Sequence, residues 1–271
     1  MTSLQVNQEL CTRCGVCSEV CPTGVLDLEN AGPKLIYPPG CIACGHCVAA
    51  CPEAALDHPK APLANQTPLE HFPVLEPFTA AAFLRSRRSI RSYRNQAVPK
   101  EKILELLEIA RFAPTGGNSQ GLSYLVIDNP LVLKEITGAT VDWMEEQMKS
   151  GAEWGQRYAS VVSVYRKTGA DVILRGAPCL IVATAPAGFA IGHDNARFAL
   201  EYVELYATAL GLGTCWAGFV EICAASNFAP LREAMKLPAG TVVAGAMMVG
   251  YPKYAYRRLV DRNPLKVSWL E

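Results

Sequence analysis

The sequence predicts an α+β protein in two parts: a small cysteine-rich domain over residues 1–58 and a larger mixed helix-and-strand domain over residues 79–271. Three observations predict this. Eight of the 11 cysteines fall in two copies of one spaced run, Cys11-x2-Cys14-x2-Cys17-x3-Cys21-Pro22 and Cys41-x2-Cys44-x2-Cys47-x3-Cys51-Pro52, offset by 30 residues. Pro59, Pro62, Pro68, Pro73 and Pro77 then interrupt the chain, so residues 59–78 read as a stiff, extended linker. Beyond Pro77, helical periodicity alternates with short apolar runs.

The duplicated run is the spacing of bacterial two-cluster ferredoxins, in which each fourth cysteine crosses to the other [4Fe–4S] cluster. Cys11, Cys14, Cys17 and Cys51 are therefore expected to hold one cluster, and Cys41, Cys44, Cys47 and Cys21 the other. Gly15, Ala43 and Gly45 leave room for inorganic sulfide and for amide N–H groups aimed at sulfur. Val25–Leu28 and Lys34–Tyr37 flank Asn30–Pro33 and read as a hairpin. Zinc also takes thiolates from Cys-x2-Cys pairs, but it has no use for a third cysteine at the same spacing followed by Cys-Pro. A disulfide scaffold is disfavoured by the polar opening Met1–Gln5, which reads as no export signal and implies a reducing, cytoplasmic setting. His46 lies inside the second run, either as a donor that tunes a cluster or as a solvated loop residue. Cys179, Cys215 and Cys223 sit among apolar residues and read as small buried hydrophobes.

Half of the 271 residues are apolar, enough for a conventional core. Lys+Arg and Asp+Glu balance at 25 each, so net charge recruits neither nucleic acid nor an anionic membrane. The apolar stretch Val242–Gly250 is far short of the ~20 residues that span a bilayer.

In the larger domain, residues 79–86 read as helical. Residues 100–112 form an amphipathic helix with Ile103, Leu106, Leu107 and Ala110 on one stripe. Strands are expected at 123–128, 179–185 and 241–249, and a long apolar helix at 194–210 that ends on Gly211-Leu212-Gly213. Residues 141–168 read as helical turns bearing Trp143, Trp154, Tyr158 and Tyr165. No Gly-x-Gly-x-x-Gly follows a strand, which removes the Rossmann dinucleotide fingerprint.

Three segments carry possible chemistry. Arg85 to Arg94 holds six further residues of Arg or Ser between its ends, a density suited to an anionic phosphate or to a solvated basic face. Ala113–Gln120 sets two glycines among hydroxyl and amide side chains, as a ligand-approaching loop or a plain connection. Leu210–Phe219 reads as a tight helix-to-strand turn or part of a cofactor site.

Taken in order, Arg87-Arg88-Ser89-x-Arg91, Ala113-Pro114-Thr115-x-x-Asn118-Ser119-Gln120, Gly211–Trp216 and Gly250-Tyr251-Pro252 with Arg257-Arg258 resemble the nitroreductase family of FMN enzymes. The resemblance spans residues 79–271, and the whole chain resembles the ferredoxin-fused branch of that family. It implies a nitroreductase-like α+β FMN domain forming an intertwined homodimer, with FMN in interfacial pockets. It implies that Arg87, Arg88, Ser89 and Arg91 grip the phosphate and ribityl chain, with Arg91 also toward the pyrimidine edge. Arg257 or Arg258 supplies the C-terminal phosphate ligand. Thr115, Gly116, Gly117, Asn118 and Gln120 match a loop from the partner subunit, and Cys215, Trp216, Ala217 and Gly218 a stretch whose backbone lies over the ring. Several members carry an acidic residue where this chain has Ala217, a departure that bears on substrate preference.

The implied activity is an oxidoreductase that passes electrons from two [4Fe–4S] clusters to FMN and on to a small electron-poor acceptor: a nitroaromatic, a quinone, an enone or a halogenated ring. Trp143, Trp154, Tyr158 and Tyr165 are candidates to wall the acceptor pocket, against plain helix packing. The donor is ferredoxin or NAD(P)H. The competing reading is an electron-transfer relay for a protein partner with no small substrate of its own.

Overall fold

Backbone conformation repeats with the cysteines. Arg13 and Ala43, Gly15 and Gly45, and Gly24 and Ala54 are three pairs offset by the duplication, and all six adopt positive φ. At Gly15 and Gly45 the left-handed turn starts a one-turn helix, which favours a residue without Cβ there. The computed structural model describes residues 4–151 and 153–270, with the backbone only for Glu153 and Trp154. Contacts divide the chain into two units, Met1–Val74 with Gly116–Ser119, and Leu75–Thr115 with Gln120–Glu271.

In the first unit, β1 (Gln5–Val6) precedes α1 (Val16–Glu19), the hairpin β2 (Leu26–Glu29) and β3 (Gly32–Leu35), α2 (His46–Ala49) and β4 (Leu56–Asp57). Strand β1 pairs antiparallel with β4, and β2 with β3. The hairpin lies where the sequence puts it. A small core of Cys17, Leu26, Val48 and Leu56 sits between the two repeats. The proline-rich stretch makes one 3-10 turn at Leu63–Asn65 and no further regular structure before Pro77.

The second unit opens with α3 (Pro77–Ser86) and α4 (Lys100–Ala110), followed by β5 (Ser123–Ile127), α5 (Pro130–Lys149) and α6 (Ala159–Thr168). Then come β6 (Cys179–Pro186), α7 (Gly192–Ala209), β7 (Gly213–Trp216), α8 (Gly218–Ala225), α9 (Ala229–Ala234) and β8 (Thr241–Gly250). The four strands form one antiparallel sheet in the order β5-β6-β8-β7.

Period-2 alternation divides the core. Leu180 and Val182 of β6, with Ala246 and Met248 of β8, face one cluster with Trp143 and Met144 of α5 and Val220 of α8. Cys179, Ile181 and Ala183, with Met247 and Val249, face the other, against Ile103 and Leu106 of α4 and Leu200 and Val203 of α7. A sheet covered on both faces needs apolar residues at every position, which is why β6 and β8 read as unbroken apolar runs. Burying one such Leu or Met contributes ~1.5–3 kcal/mol.

The structure corrects the expected boundaries. The helical turns expected over 141–168 are two helices, and the first begins at Pro130, with the Asn129 side chain accepting from Leu131 N–H at 2.9 Å. The turn after Gly211 is the edge strand β7, and two helices, α8 and α9, follow that the sequence pattern had not marked. No helix among the described residues is long and apolar enough to cross a membrane.

Candidate functional site

The eight repeated cysteines gather in two cavities of the first unit. Cys11, Cys14, Cys17 and Cys51 line one, with Leu28, Pro33 and Leu56 beside them. Cys21, Cys41, Cys44 and Cys47 line the other, with Leu4, Val25, Leu26 and Leu35. These are the two crossed sets expected from spacing. No three His, Cys, Asp or Glu side chains among the described residues are set to hold a single ion. The thiols ring a space instead, as a cubane's iron and sulfide require.

Backbone donors already point at sulfur. Ala55 N–H donates to Cys51 Sγ at 3.3 Å. Burial pushes the Cys21 thiol up, yet N–H bonds from Val25, Thr23 and Gly24 and the Thr23 hydroxyl outweigh it and hold the thiol below its ordinary value. Burial, with the neighbouring Cys44 and Cys41 adding to it, pushes the Cys47 thiol up to about 11. Such packing of thiols suits ligands to a cation, because a coordinating metal inverts that preference. The residues present fit two iron–sulfur clusters.

Asn118 belongs to the same unit, and its side-chain amide donates to Ile42 O at 3.1 Å and Ala43 O at 3.0 Å. His46 is exposed at the start of α2. The histidine that approaches sulfur is His58, with Nε2 3.8 Å from Cys41 Sγ. Spacing alone did not single it out; comparison of the two repeats at positions 28 and 58 would have.

In the second unit, the arginine segment lies along the sheet edge. Ser89 bridges Thr214 in parallel, Ile90 N–H donates to Thr214 O at 2.7 Å, and Arg94 N–H to Tyr251 O at 2.9 Å. Two glycines permit this approach. A Cβ on Gly213 would stand 2.4 Å from Ile90 Cγ1, and one on Gly250 would stand 2.7 Å from Tyr93 Cδ1. Gly213 and Gly250 thus let the segment lie flat on β7 and the end of β8.

Arg87 and Arg88 then enter a cavity of ≈ 570 Å³ with Thr208, Thr214, Lys253 and Tyr256. Arg87 is spoken for: its Nη1 donates to Glu204 Oε1 at 2.9 Å, and the Glu204 side chain is 2% exposed. Glu204 was missed at the sequence level, although a lone carboxylate on the Ala196, Leu200, Val203, Ala207 stripe is its signal. Arg88 stacks over the Tyr256 ring at 5.4 Å from the centroid, and its buried Nε has no hydrogen-bond partner. A buried donor without an acceptor costs ~1–3 kcal/mol. The cavity, its cations and that orphaned donor fit an anionic phosphate.

The other expected residues are placed as follows. Arg91 is exposed, and Ser89 is half-buried and hydrogen-bonds the Cys215 thiol. Burial pushes that thiol up, against the pull of Arg91. Arg257 and Arg258 are exposed just beyond Tyr256. Gly116, Gly117 and Asn118 fall in the first unit, Thr115 and Gln120 in the second, where Gln120 N–H donates to Thr115 Oγ1 at 3.2 Å. Cys215 and Trp216 end β7. Ala217 N–H is taken by Ala246 O at 2.9 Å, while Gly218, the first residue of α8, has open space where a Cβ would stand. Trp143 is 2% exposed and packs on Tyr158 with ring centroids 5.7 Å apart; Tyr158 in turn meets Phe219 edge-on. Tyr165 lines a separate groove with Lys134 and Thr137. The Trp154 side chain lies outside the described residues. Cys179 and Cys223 are buried in the two cores.

Comparison with known proteins places both units in known families. Residues 84–251 match the Nitroreductase family model, and residues 3–52 match that of the 4Fe-4S dicluster domain. The chain is 27% identical over 168 residues to an Archaeoglobus fulgidus protein provisionally named NADH dehydrogenase/NAD(P)H nitroreductase, covering 62% of this chain and 82% of that one. It is 25% identical over 191 residues to an iodotyrosine deiodinase of Nematostella vectensis, covering 68% and 71%. Among solved structures it is similar in fold to an FMN-bound nitroreductase from Desulfitobacterium hafniense, with TM-score 0.57 at 20% identity over 70% of this chain and 97% of that one. A BluB-like flavoprotein from Clostridium difficile gives TM-score 0.53 at 19% identity over 71% and 99%. The chain belongs to the nitroreductase family of oxidoreductases and carries an N-terminal 4Fe-4S dicluster domain.

Proposed function

We propose that this protein uses two [4Fe–4S] clusters and FMN to pass electrons from a low-potential donor to a small, flat, electron-poor acceptor. One observation carries the reading: two crossed four-thiol cavities share a chain with an arginine-lined cavity whose Arg88 Nε has no partner. FMN supplies the conversion between single electrons and electron pairs. A phosphate of about −1.5 to −2 charge needs several fixed cations when partly buried. Arg88, with Arg257 or Arg258, is assigned to hold it, and Glu204 orients Arg87 toward the same cavity. Ser89, Arg91, Thr115, Gly116, Gly117, Asn118, Gln120 and Cys215 to Gly218 are assigned to the ribityl chain and ring.

Acceptor candidates are nitroaromatics, quinones, enones and halogenated rings; similarity to an iodotyrosine deiodinase supports keeping the last. The donor is reduced ferredoxin or NAD(P)H. A homodimer completes the assembly. Its support is the C-terminal arm over residues 253–270, exposed throughout and bearing Tyr254, Leu259, Leu265, Val267 and Trp269, an apolar surface that a monomer would leave in water.

Arg88→Ala tests the phosphate assignment. Flavin absorbance is expected to be lost on gel filtration while iron–sulfur absorbance stays. Full FMN retention would remove the assignment. Arg87→Ala is the poorer test, because it also strips the buried Glu204 of its partner.

A further inference from the structure

The two thiol cavities are alike in cysteine spacing and in backbone, and among the side chains in which they differ one brings a ring nitrogen to a ligand sulfur. Leu28 lines the first cavity and His58, 30 positions later, lines the second. Each shares one local bond: Asp27 Oδ1 accepts from Leu28 N–H at 2.8 Å, and Asp57 Oδ1 accepts from His58 N–H at 2.8 Å. Leu28 is 40% exposed, whereas His58 is 3% exposed. A buried imidazole in place of a half-exposed isobutyl group needs a reason, since a polar side chain is costly to bury unless it is bonded.

His58 is fixed from several sides. Asp57 Oδ1 also accepts from Leu63 N–H at 2.8 Å, and Ala61 N–H donates to His58 O at 2.9 Å. Lys60 N–H donates to His58 Nδ1 at 3.2 Å. A nitrogen that accepts carries no proton, so the ring proton sits on Nε2. Nε2 is the atom 3.8 Å from Cys41 Sγ, within the longer reach of a sulfur acceptor. Leu28, at the equivalent position of the first repeat, has no polar side-chain atom to offer Cys11.

We infer that His58 donates an N–H···S hydrogen bond to Cys41 and makes the cluster held by Cys21, Cys41, Cys44 and Cys47 easier to reduce than the cluster held by Cys11, Cys14, Cys17 and Cys51. The inference rests on the cluster reading of those cysteines. On one-electron reduction a cluster and its four thiolates gain one negative charge. A donor to a ligand sulfur stabilises the more negative form, and hydrogen bonds to sulfur are among the levers that set cluster potential. The asymmetry gives the pair a direction: an electron delivered to the first cluster runs downhill to the second. His58 is a positioning residue in this scheme, acting on iron only through Cys41.

The test is a dithionite redox titration of the holoprotein followed by electron paramagnetic resonance, with iron and sulfide content measured alongside. The wild type is expected to show two one-electron steps at separate potentials. His58→Leu, which copies the first repeat, is expected to lower the upper step and leave the lower one in place. The expected change is a roughly two- to tenfold loss in the electron's preference between clusters, where tenfold is about 59 mV for one electron. His58→Gln, which keeps an N–H donor, is expected to recover part of that loss. Leu28→His is expected to raise the lower step, and it decides the matter if His58→Leu fails to assemble clusters. Unmoved potentials in His58→Leu, an equal shift of both steps, or an unmoved lower step in Leu28→His would overturn the inference. Iron and sulfide contents far below two cubanes in the wild type would instead overturn the cluster reading.

Discussion

The two units hold themselves together in different ways. The first has, among the described residues, an apolar cluster of four buried side chains, one of them a cysteine, beside two rings of thiols. The second wraps a four-stranded sheet between two large apolar clusters and leaves few polar groups inside. In the first unit two thiol-lined cavities stand where a core would be; in the second the arginine-lined cavity is cut into the edge of a core that is already complete. Small domains with so little apolar burial depend on metal for their fold. Domains with a sheet covered on both faces do not.

The largest effect that bears on this contrast is iron removal. Chelation under reducing conditions is expected to make residues 1–74 sensitive to protease while a fragment covering the sheet stays resistant. Equal resistance of both parts would erase the distinction. Next in size is Arg87→Ala, expected to cost about 3–5 kcal/mol by leaving Glu204 buried without its partner. Urea unfolding followed by tryptophan fluorescence reads that loss, and iron–sulfur absorbance is expected to be unchanged before the transition. A cost near zero would mean that Glu204 is not held by the pair.

A smaller effect concerns Glu221, whose carboxylate accepts from Ala246 N–H at 2.7 Å. Burial pushes its acid up, with the Ala246 bond, Arg197 and His193 opposing, and the net shift is upward from 4.5. The folded state therefore binds the proton more tightly than the unfolded chain. This contribution to stability is full below pH 4.5 and is lost as pH rises through the folded value. Glu221→Gln keeps an acceptor for Ala246 and is expected to flatten that part of the urea midpoint against pH. An unchanged slope would show that Glu221 does not titrate differently in the two states.

Legibility followed the same division. Thiolate ligands are fixed by covalent spacing, so both four-cysteine sets and the hairpin between the runs could be read directly. The sheet strands β6 and β8 were also legible, because a two-sided core demands continuous apolar runs, and the edge strand β5 was legible as a short apolar run. The short edge strand β7 was not: its pairing with Ser89 and Ile90 depends on a segment more than a hundred residues away in the chain. Helices α8 and α9 are too short for periodicity to show. The start of α5 was missed because Asn129-Pro130 was not read as a cap followed by a helix's first residue. Glu204 and His58 escaped for a common reason. Each takes its meaning only from its partner, Arg87 or Cys41.

The most direct test of the central claim is anaerobic stopped-flow reduction of the FMN-loaded holoprotein by reduced ferredoxin, followed at separate iron–sulfur and flavin wavelengths. Cluster absorbance is expected to bleach ahead of flavin absorbance, and mixing with a nitroaromatic or quinone is expected to restore both. Flavin reduction with the clusters remaining oxidised throughout turnover would contradict a path from the cysteine clusters to the flavin.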